Sequence, residues 1–454
     1  MGAGGNGAPG DTAAIRMSES RSVHPVGKPL PDLWQRGREV LSSISWTDFA
    51  LFCLFAAIAF QYDVVKYPLQ MALVEPVGWA TLIFLLLRKG AWSGIRGAAG
   101  RSISLLLVFL TIWTFAIWLV DPTWRYGLDD VRWIFLSVAV LITLLGTVRD
   151  WRRALVILLV VAALAAAIAD FQGLTGAFVP PFSSNLEKEL YLPQVPGQVV
   201  RVAAGFFGNS NMFGGFVFWP LLISIGLALG RKLKWVAALG AVFFAASLYL
   251  SDARGVEAGF LLASALIALS YAPFPAKGLR YVILTVIVAT MAGAVLLVVA
   301  APRAGFFSTL WLRVNLWQAA LGYFRRFPTT LLLGAGSGLK IPPTATWAEV
   351  LAPEDPHNLY LYATMHYGLP GLLIMIAVGW KAIALGWQRY KRGELAGDPL
   401  LRSVWAAWLA FPVMGGLDSY FNKVEWQLIL LLALGFWLKL GADAPPRAGT
   451  DDPI

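Results

Sequence analysis

At 454 residues, 58% apolar and 14% charged, with a mean hydropathy of +0.66, the chain lies outside the composition of a soluble globular protein. Its 36 Lys and Arg against 26 Asp and Glu leave a net charge of +10. Nucleic acid or an anionic membrane surface would each attract such a chain, so the placement of the cations has to decide. A single cysteine, Cys53, excludes an internal disulfide, a cysteine metal cluster and a haem attachment.

Residues 1–46 are polar, rich in Gly, Pro and Ser, and carry Arg16, Arg21, Lys28, Arg36 and Arg38 without an apolar h-region. They read as a disordered tail with no cleavable signal peptide, and Met17 is a candidate alternative start. From 47 to 440, apolar segments recur between short polar loops. Each is close to the roughly 20 residues a helix needs to cross a hydrocarbon layer of about 30 Å. Twelve spans are expected: 47–62, 68–87, 102–120, 131–148, 153–170, 212–230, 234–250, 256–272, 279–301, 358–386, 400–414 and 424–440. Residues 441–454 form a second tail.

With the N-terminus in the cytoplasm, alternate loops hold 24 of the 36 basic residues, which is the positive-inside pattern. The net charge is thereby explained by topology, and no nucleic-acid partner is expected. Two loops on the opposite, periplasmic side are too long for connectors, 171–211 and 302–357. The second contains LWLRVNLWQAALGYFRRF, an amphipathic helix over 310–327 lying near the outer membrane face and ended by Pro328.

Three arginines on the outer side stand close to the bilayer. Arg201 precedes the run GFFGNSNMFGG, which holds Asn209 and Asn211; Arg254 lies in SDARG, a short turn between two spans; Arg313 sits on the amphipathic helix one turn before Trp317. A guanidinium offers a planar fork of donors that holds two phosphate oxygens at once, so such a cluster suits a lipid-linked diphosphate. Taken singly, each arginine equally fits snorkelling or an ion pair, with Asp252 and Glu257 as candidate partners of Arg254.

In EDPHNLYLYATMHYGLPG, Asp355 is the expected N-cap and Pro356 the first helical residue. That places His357 in the first helical turn, where the positive end of the helix dipole favours a neutral imidazole fit for general-base work. A capping histidine without chemistry is the alternative. His357 and His366 are nine residues apart and fall on opposite helix faces, so they do not form a zinc pair. Outside acids such as Asp63, Asp129 with Asp130, and Glu187 with Glu189 show no phosphate-metal motif, and no metal is expected. GAGSGLK at 334–340 imitates a phosphate loop but has Leu339 where glycine is required. Glu75, beside Pro76 in the 68–87 span, is an intramembrane acid without an evident relay, and reads as packed or hydrogen-bonded rather than as a transport site.

Arg201 with GFFGNSNMFGG, then SDARG, then RVNLWQAAL followed by GAGSG, then HNLYLYATMHYGLPG, span about 201–371. In their order, spacing and shared outside location they resemble the bacterial O-antigen ligase and O-antigen polymerase superfamily, most closely the ligases. The resemblance implies an all-α polytopic membrane protein of the GT-C type, with about 12 transmembrane helices, in the bacterial inner membrane with both termini cytoplasmic and the site periplasmic. It further implies transfer of a glycan from undecaprenyl diphosphate to an acceptor hydroxyl, in the ligases on lipid A core, without cofactor or metal and with inversion. Arg201, Arg254 and Arg313 would engage the diphosphate, and His357 would take the acceptor proton. Asn209, Asn211, Trp317, Asn358 and Asp418 would line the donor or glycan site, Asp418 in GGLDSYF falling where the ligases often carry an acid. A polymerase for O-antigen or exopolysaccharide is the close alternative, and a transporter of lipid-linked glycan the distant one.

Overall fold

In a computed structural model of the chain, the described residues are 45–60, 63–65, 71–87, 98–120, 127–176, 191–195, 198–201, 203–207, 210–230, 234–271, 308–334, 356–419 and 424–440, with positions 278, 281 and 285. Both tails, almost all of the expected 279–301 span, Asn209, Asp355 and the GAGSGLK stretch beyond Gly334 lie outside them.

The described chain is built from thirteen α-helices. They are α1 (Trp46–Ala59), α2 (Val74–Leu86), α3 (Ala98–Val120), α4 (Gly127–Thr147), α5 (Trp151–Thr175), α6 (Ser210–Ala228), α7 (Lys234–Ser251), α8 (Arg254–Ser270), α9 (Ser308–Arg326), α10 (Pro328–Leu333), α11 (Leu359–Lys391), α12 (Pro399–Leu417) and α13 (Val424–Leu440). By length and composition, α3, α5, α6, α7, α11 and α12 can cross a membrane, and α1 and α2 are shorter apolar helices. The polytopic helical architecture expected from hydropathy is therefore present. The count of twelve rests on the sequence.

Two small antiparallel hairpins add to the expected helices. β1 (Asp63–Val65) pairs with β2 (Met71–Ala72), and β3 (Tyr191–Val195) pairs with β4 (Gln198–Arg201), placing Tyr191 opposite Arg201. The first hairpin occupies the start of the expected 68–87 span, so α2 begins only at Val74 and Glu75 falls in its first turn.

Local chemistry fixes the helix ends. Asp150 caps α5 by accepting from the Arg153 N–H at 3.0 Å, and Gly176 closes it in the left-handed conformation. Asp398 caps α12, with Pro399 in the first helical position, where a missing N–H costs nothing. Pro328 ends the amphipathic helix, as expected, and also opens α10.

Between apolar helices in a lipid solvent there is little hydrophobic drive, so association depends on close packing. α12 packs against α6, α8 and α11, and α13 against α4. In α6 and α12, 78% of the apolar window is buried, against 28% in α7. The first two are thus central helices and the last a peripheral one. α12 delivers its C-terminal end to the point where α8, α9 and α11 meet, and the candidate site is built there.

Candidate active site

The last carbonyls of a helix have no partner in their own helix and carry the negative end of its dipole. At the end of α12 those groups are taken up by side chains from two other elements. Gly416 O accepts from Asn358 Nδ2 at 2.8 Å, and Leu417 O accepts from Arg313 Nη1. Deeper in α12, Pro412 O accepts from the Tyr360 hydroxyl at 2.7 Å.

The start of α11 is stitched to the same place. Asn358 is its N-cap, with the amide oxygen accepting from Tyr360 N and Leu361 N, each at 3.0 Å, while its own N–H donates to Ser419 Oγ at 2.9 Å. The cap is therefore Asn358, not Asp355 as the sequence led one to expect. An amide does both jobs at this junction, accepting from α11 and donating to α12, which a carboxylate cannot. Pro356 and His357 consequently precede the helix, and His357 stands just before the cap with a φ of 46°. For a side chain with a Cβ that conformation costs on the order of 1 kcal/mol or more, and surrounding contacts must hold it.

Two contacts do so. The Trp317 indole N–H donates to Pro356 O at 3.1 Å, and His357 Nδ1 lies 3.1 Å from Asp418 Oδ1. A neutral ring that donates from Nδ1 to the carboxylate carries its lone pair on Nε2. The imidazole side chain is 27% exposed, so a substrate can approach it.

Asp418 is the C-cap of α12 and is almost fully buried. Burial by itself would raise its pKa. The His357 hydrogen bond, the Arg313 guanidinium 3.7 Å away and the Ser419 N–H at 2.8 Å outweigh that effect and hold the carboxyl below the usual carboxylate range. One buried anion thus orients a histidine and faces an arginine.

The SDARG turn closes the site on a third side. A Cβ placed on Gly255 would lie 3.3 Å from Leu417 Cβ and 3.7 Å from Arg313 Nη1, so the start of α8 runs close to the end of α12 and to the Arg313 guanidinium. Arg254 begins α8 next to it, with a side chain 42% exposed and Nε 3.4 Å from Asp252 Oδ1. Of the two acids expected near Arg254, Asp252 makes the close contact, and Arg254 also acts electrostatically on Glu257. The turn is supported from below by α6, where a Cβ on Gly214 would collide with Ala253 Cβ, and Asn211 lies one helical turn before Gly214. From β4, the chain reaches the same turn two residues after Arg201, where Ala203 N donates to Leu250 O at 2.8 Å.

Arg313, Trp317, His357, Asn358 and Asp418 are accordingly linked through contacts with one another or with adjoining backbone, whereas Arg254, Asn211 and Arg201 approach this cluster through their chain neighbours Gly255, Gly214 and Ala203. The sequence reading did not single out Ser419, which receives the Asn358 N–H, or Tyr360, which ties α11 to α12. Ser419 directly follows Asp418 and Tyr360 lies two residues after Asn358, and that closeness in sequence was the available signal. Among the described residues, no group of three or more His, Cys, Asp or Glu is arranged to hold a metal.

His366 belongs to a second, buried cluster. Its Nδ1 lies 3.1 Å from Asp130 Oδ2, and its ring stacks on Tyr362 with centroids 4.0 Å apart. The two histidines therefore engage different carboxylates. Nearby in sequence on α4, Arg132 pairs with Asp129 at 3.0 Å and with Glu75 at 2.6 Å. Glu75, expected to be packed or hydrogen-bonded, is buried and held by the Arg132 guanidinium.

Below the first turn of α11, an apolar cavity of about 330 Å³ runs between α11, α12, α13 and α3, lined among others by Tyr360, Met375, Trp380, Trp408 and Leu431.

No curated protein matches the chain. The family model described as O-antigen ligase matches residues 239–376, the stretch that contains Arg254, Arg313 and His357.

Proposed function

We propose that the protein transfers a glycan from undecaprenyl diphosphate to an acceptor hydroxyl at the periplasmic face of the inner membrane, and that the acceptor is lipid A core. The family match supports a membrane glycosyltransferase of the O-antigen ligase or polymerase type. The observation that carries the finer reading is the contact set in which Asp418 meets both His357 and Arg313, with the start of α8 close to the same guanidinium.

In this reaction the acceptor hydroxyl gives its proton to His357 Nε2 while its oxygen attacks the anomeric carbon. The bond from that carbon to the terminal phosphate oxygen breaks, and its electron pair leaves with undecaprenyl diphosphate. Attack opposite the leaving group inverts the anomeric centre. Negative charge on the diphosphate grows as the bond breaks, so guanidinium groups fixed beforehand stabilise the transition state more than the bound substrate. Arg254 and Arg313 supply them, with Arg201 as a third. Asp418 holds the tautomer of His357 and stabilises the imidazolium that forms. Asn358 and Trp317 fix the backbone on either side of the histidine. The apolar cavity beneath the site suits the hydrocarbon part of a lipid-linked substrate.

The break in α11 and the buried His366–Asp130 and Glu75–Arg132 pairs are features a transporter would share. Here the Glu75 carboxylate is engaged by Arg132, and the backbone of Gly334 lies against the break in α11.

The test is reconstitution of the purified chain in lipid nanodiscs with a glycan on undecaprenyl diphosphate and with lipid A core. Glycosylated lipid A core together with released undecaprenyl diphosphate is the expected result, abolished in His357→Ala. Glycan lengthened on the carrier lipid would assign a polymerase, and no transfer to any hydroxyl by a folded protein would reject the enzymatic reading.

A further inference from the structure

α11 is not continuous. Gly368, with φ of 66° and ψ of −176°, interrupts it, and Pro370 follows. Proline lacks an N–H and pushes away the carbonyl four residues before it, which here is His366 O. The freed carbonyls are not left to lipid, where an unsatisfied group is costly. Tyr367 O accepts from the Trp113 indole of α3 at 2.7 Å. His366 O is met by the backbone of Gly334, the residue that ends α10 with φ of 78° and ψ of 160°.

The Gly334–Gly368 contact is backbone against backbone. A Cβ on Gly334 would lie 2.6 Å from His366 O and 2.7 Å from Gly368 N. A Cβ on Gly368 would lie 2.5 Å from Leu332 O and 2.6 Å from Gly334 N. The colliding atoms are main chain and cannot swing aside, and both positions need a positive φ, so two independent constraints require glycine. On the far side of the break, the Asp130 carboxylate holds His366, and Trp113 holds Tyr367 O, which fixes the socket against α3 and α4.

The segment seated there is the one that carries Arg313. α9 rests on Met365 of α11 through Leu316, Ala320 and Phe324, and α10 continues from it to Gly334. α9 and α10 thus form a bracket along the first part of α11. One end is fixed by Trp317 and Arg313 at Pro356, Leu417 and Asp418, and the other by Gly334 in the break.

We infer that Gly334 and Gly368 are positioning residues for Arg313: their backbone contact sets the lie of α9 along α11 and so places the guanidinium at the end of α12. The kinetic part of this inference rests on the proposed role of Arg313 at the diphosphate. A shift of about 1 Å in a positioned group costs on the order of 10²-fold in rate, which is the loss expected for Gly334→Ala.

The test is a double-mutant cycle on the full chain in nanodiscs, using Gly334→Ala, Arg313→Ala and the pair. If the glycine acts through Arg313, kcat falls in each single variant and the pair is no worse than Arg313→Ala alone. Losses that multiply, or full activity in Gly334→Ala, would overturn the inference. Gly322→Ala on α9 has open space around its Cβ and is expected to leave activity unchanged. A second readout does not depend on catalysis: in a Cys53→Ser background, thiol crosslinking of Ala320→Cys to Met365→Cys should fall when Gly334→Ala is added, and unchanged crosslinking would also overturn it. If Arg313→Ala transfers glycan normally, the proposed reaction fails while the crosslinking still judges the seat. Should Gly334→Ala not accumulate, Met365→Ala loosens the same bracket without a backbone collision and is carried through the same cycle with the same criterion.

Discussion

His357 Nδ1 and Asp418 Oδ1 lie 3.1 Å apart, joining the residue just before α11 to the residue just after α12 across 61 positions of sequence. The pairing matters because a histidine acts as a base through only one nitrogen at a time, and the hydrogen bond made by the other selects which. Asp418→Asn keeps the size of the side chain and removes the charge. An amide that donates toward Nδ1 favours the proton on Nε2, the wrong tautomer for accepting one from an acceptor hydroxyl. Transfer is expected to fall by about 10²-fold to 10⁴-fold, the range that general-base catalysis contributes, with the protein still folded in the membrane. Initial rates on purified variant decide it, and a rate within a few-fold of the parent chain would remove Asp418 from the mechanism.

The same carboxyl sets an acid limb. Its pKa in the folded protein lies below the ordinary value near 3.9, because His357, Arg313 and the Ser419 N–H together outweigh its burial. A group with a depressed folded pKa contributes stability that is complete above its unfolded pKa and is lost as pH falls through the folded one. Asp418 therefore stays ionised through the neutral and mildly acidic range. Thermal unfolding midpoints of the parent chain should drop more steeply below about pH 4 than those of Asp418→Asn. Parallel curves for the two proteins over that interval would contradict the assignment.

Arg254 and Arg313 are both arginines at one site, yet their surroundings give them different duties. Arg313 is largely buried, donates to Leu417 O and faces Asp418, whereas Arg254 is 42% exposed beside Asp252. Arg254 is the better placed to meet a substrate phosphate, and a lysine there offers a point charge instead of a fork. Arg254→Lys is expected to lose about 10²-fold in kcat with little change in thermal stability. Arg313→Lys should lose both, because it also unpins the end of α12. Equal stability losses in the two variants would show that the division of duties is wrong.

Much of this arrangement was legible one helix at a time. Apolar length and the alternation of basic loops place most helices within a few residues, as at 424–440 and 234–250 against α13 and α7. The seams were not legible, because they depend on contacts between distant segments. The Asp-Pro pair before His357 resembles a helix start, but Asn358 takes the cap, since only its amide also reaches Gly416 O. The YGLPG stretch contains the break in α11, yet the apolar pattern runs through it without interruption, and nothing local reveals that Gly334 will fill the gap. Both hairpins went unread because they are only a few residues long. Glu75 looked solitary because Arg132 is 57 positions away, at the start of another helix.

That last pair gives a prediction separate from catalysis. Glu75 is fully buried and its carboxylate holds the Arg132 guanidinium at 2.6 Å, with Asp129 on the same cation at 3.0 Å. Removing one partner of a buried ion pair leaves the other charge desolvated and costs about 3–5 kcal/mol, whereas forming the pair gains little over an apolar replacement of both. Asp129 still faces Arg132, so the lower end of that range applies to Glu75→Ala. The variant should unfold at a distinctly lower temperature, while the molecules that remain folded transfer glycan at the parent rate, because Glu75 and Arg132 belong with Asp129 to a separate ion cluster from the one that holds His357 and Arg313. Glu75→Leu with Arg132→Leu should recover much of the lost stability by removing both charges. Loss of turnover in folded Glu75→Ala, with its melting temperature unchanged, would instead make this pair part of the reaction path.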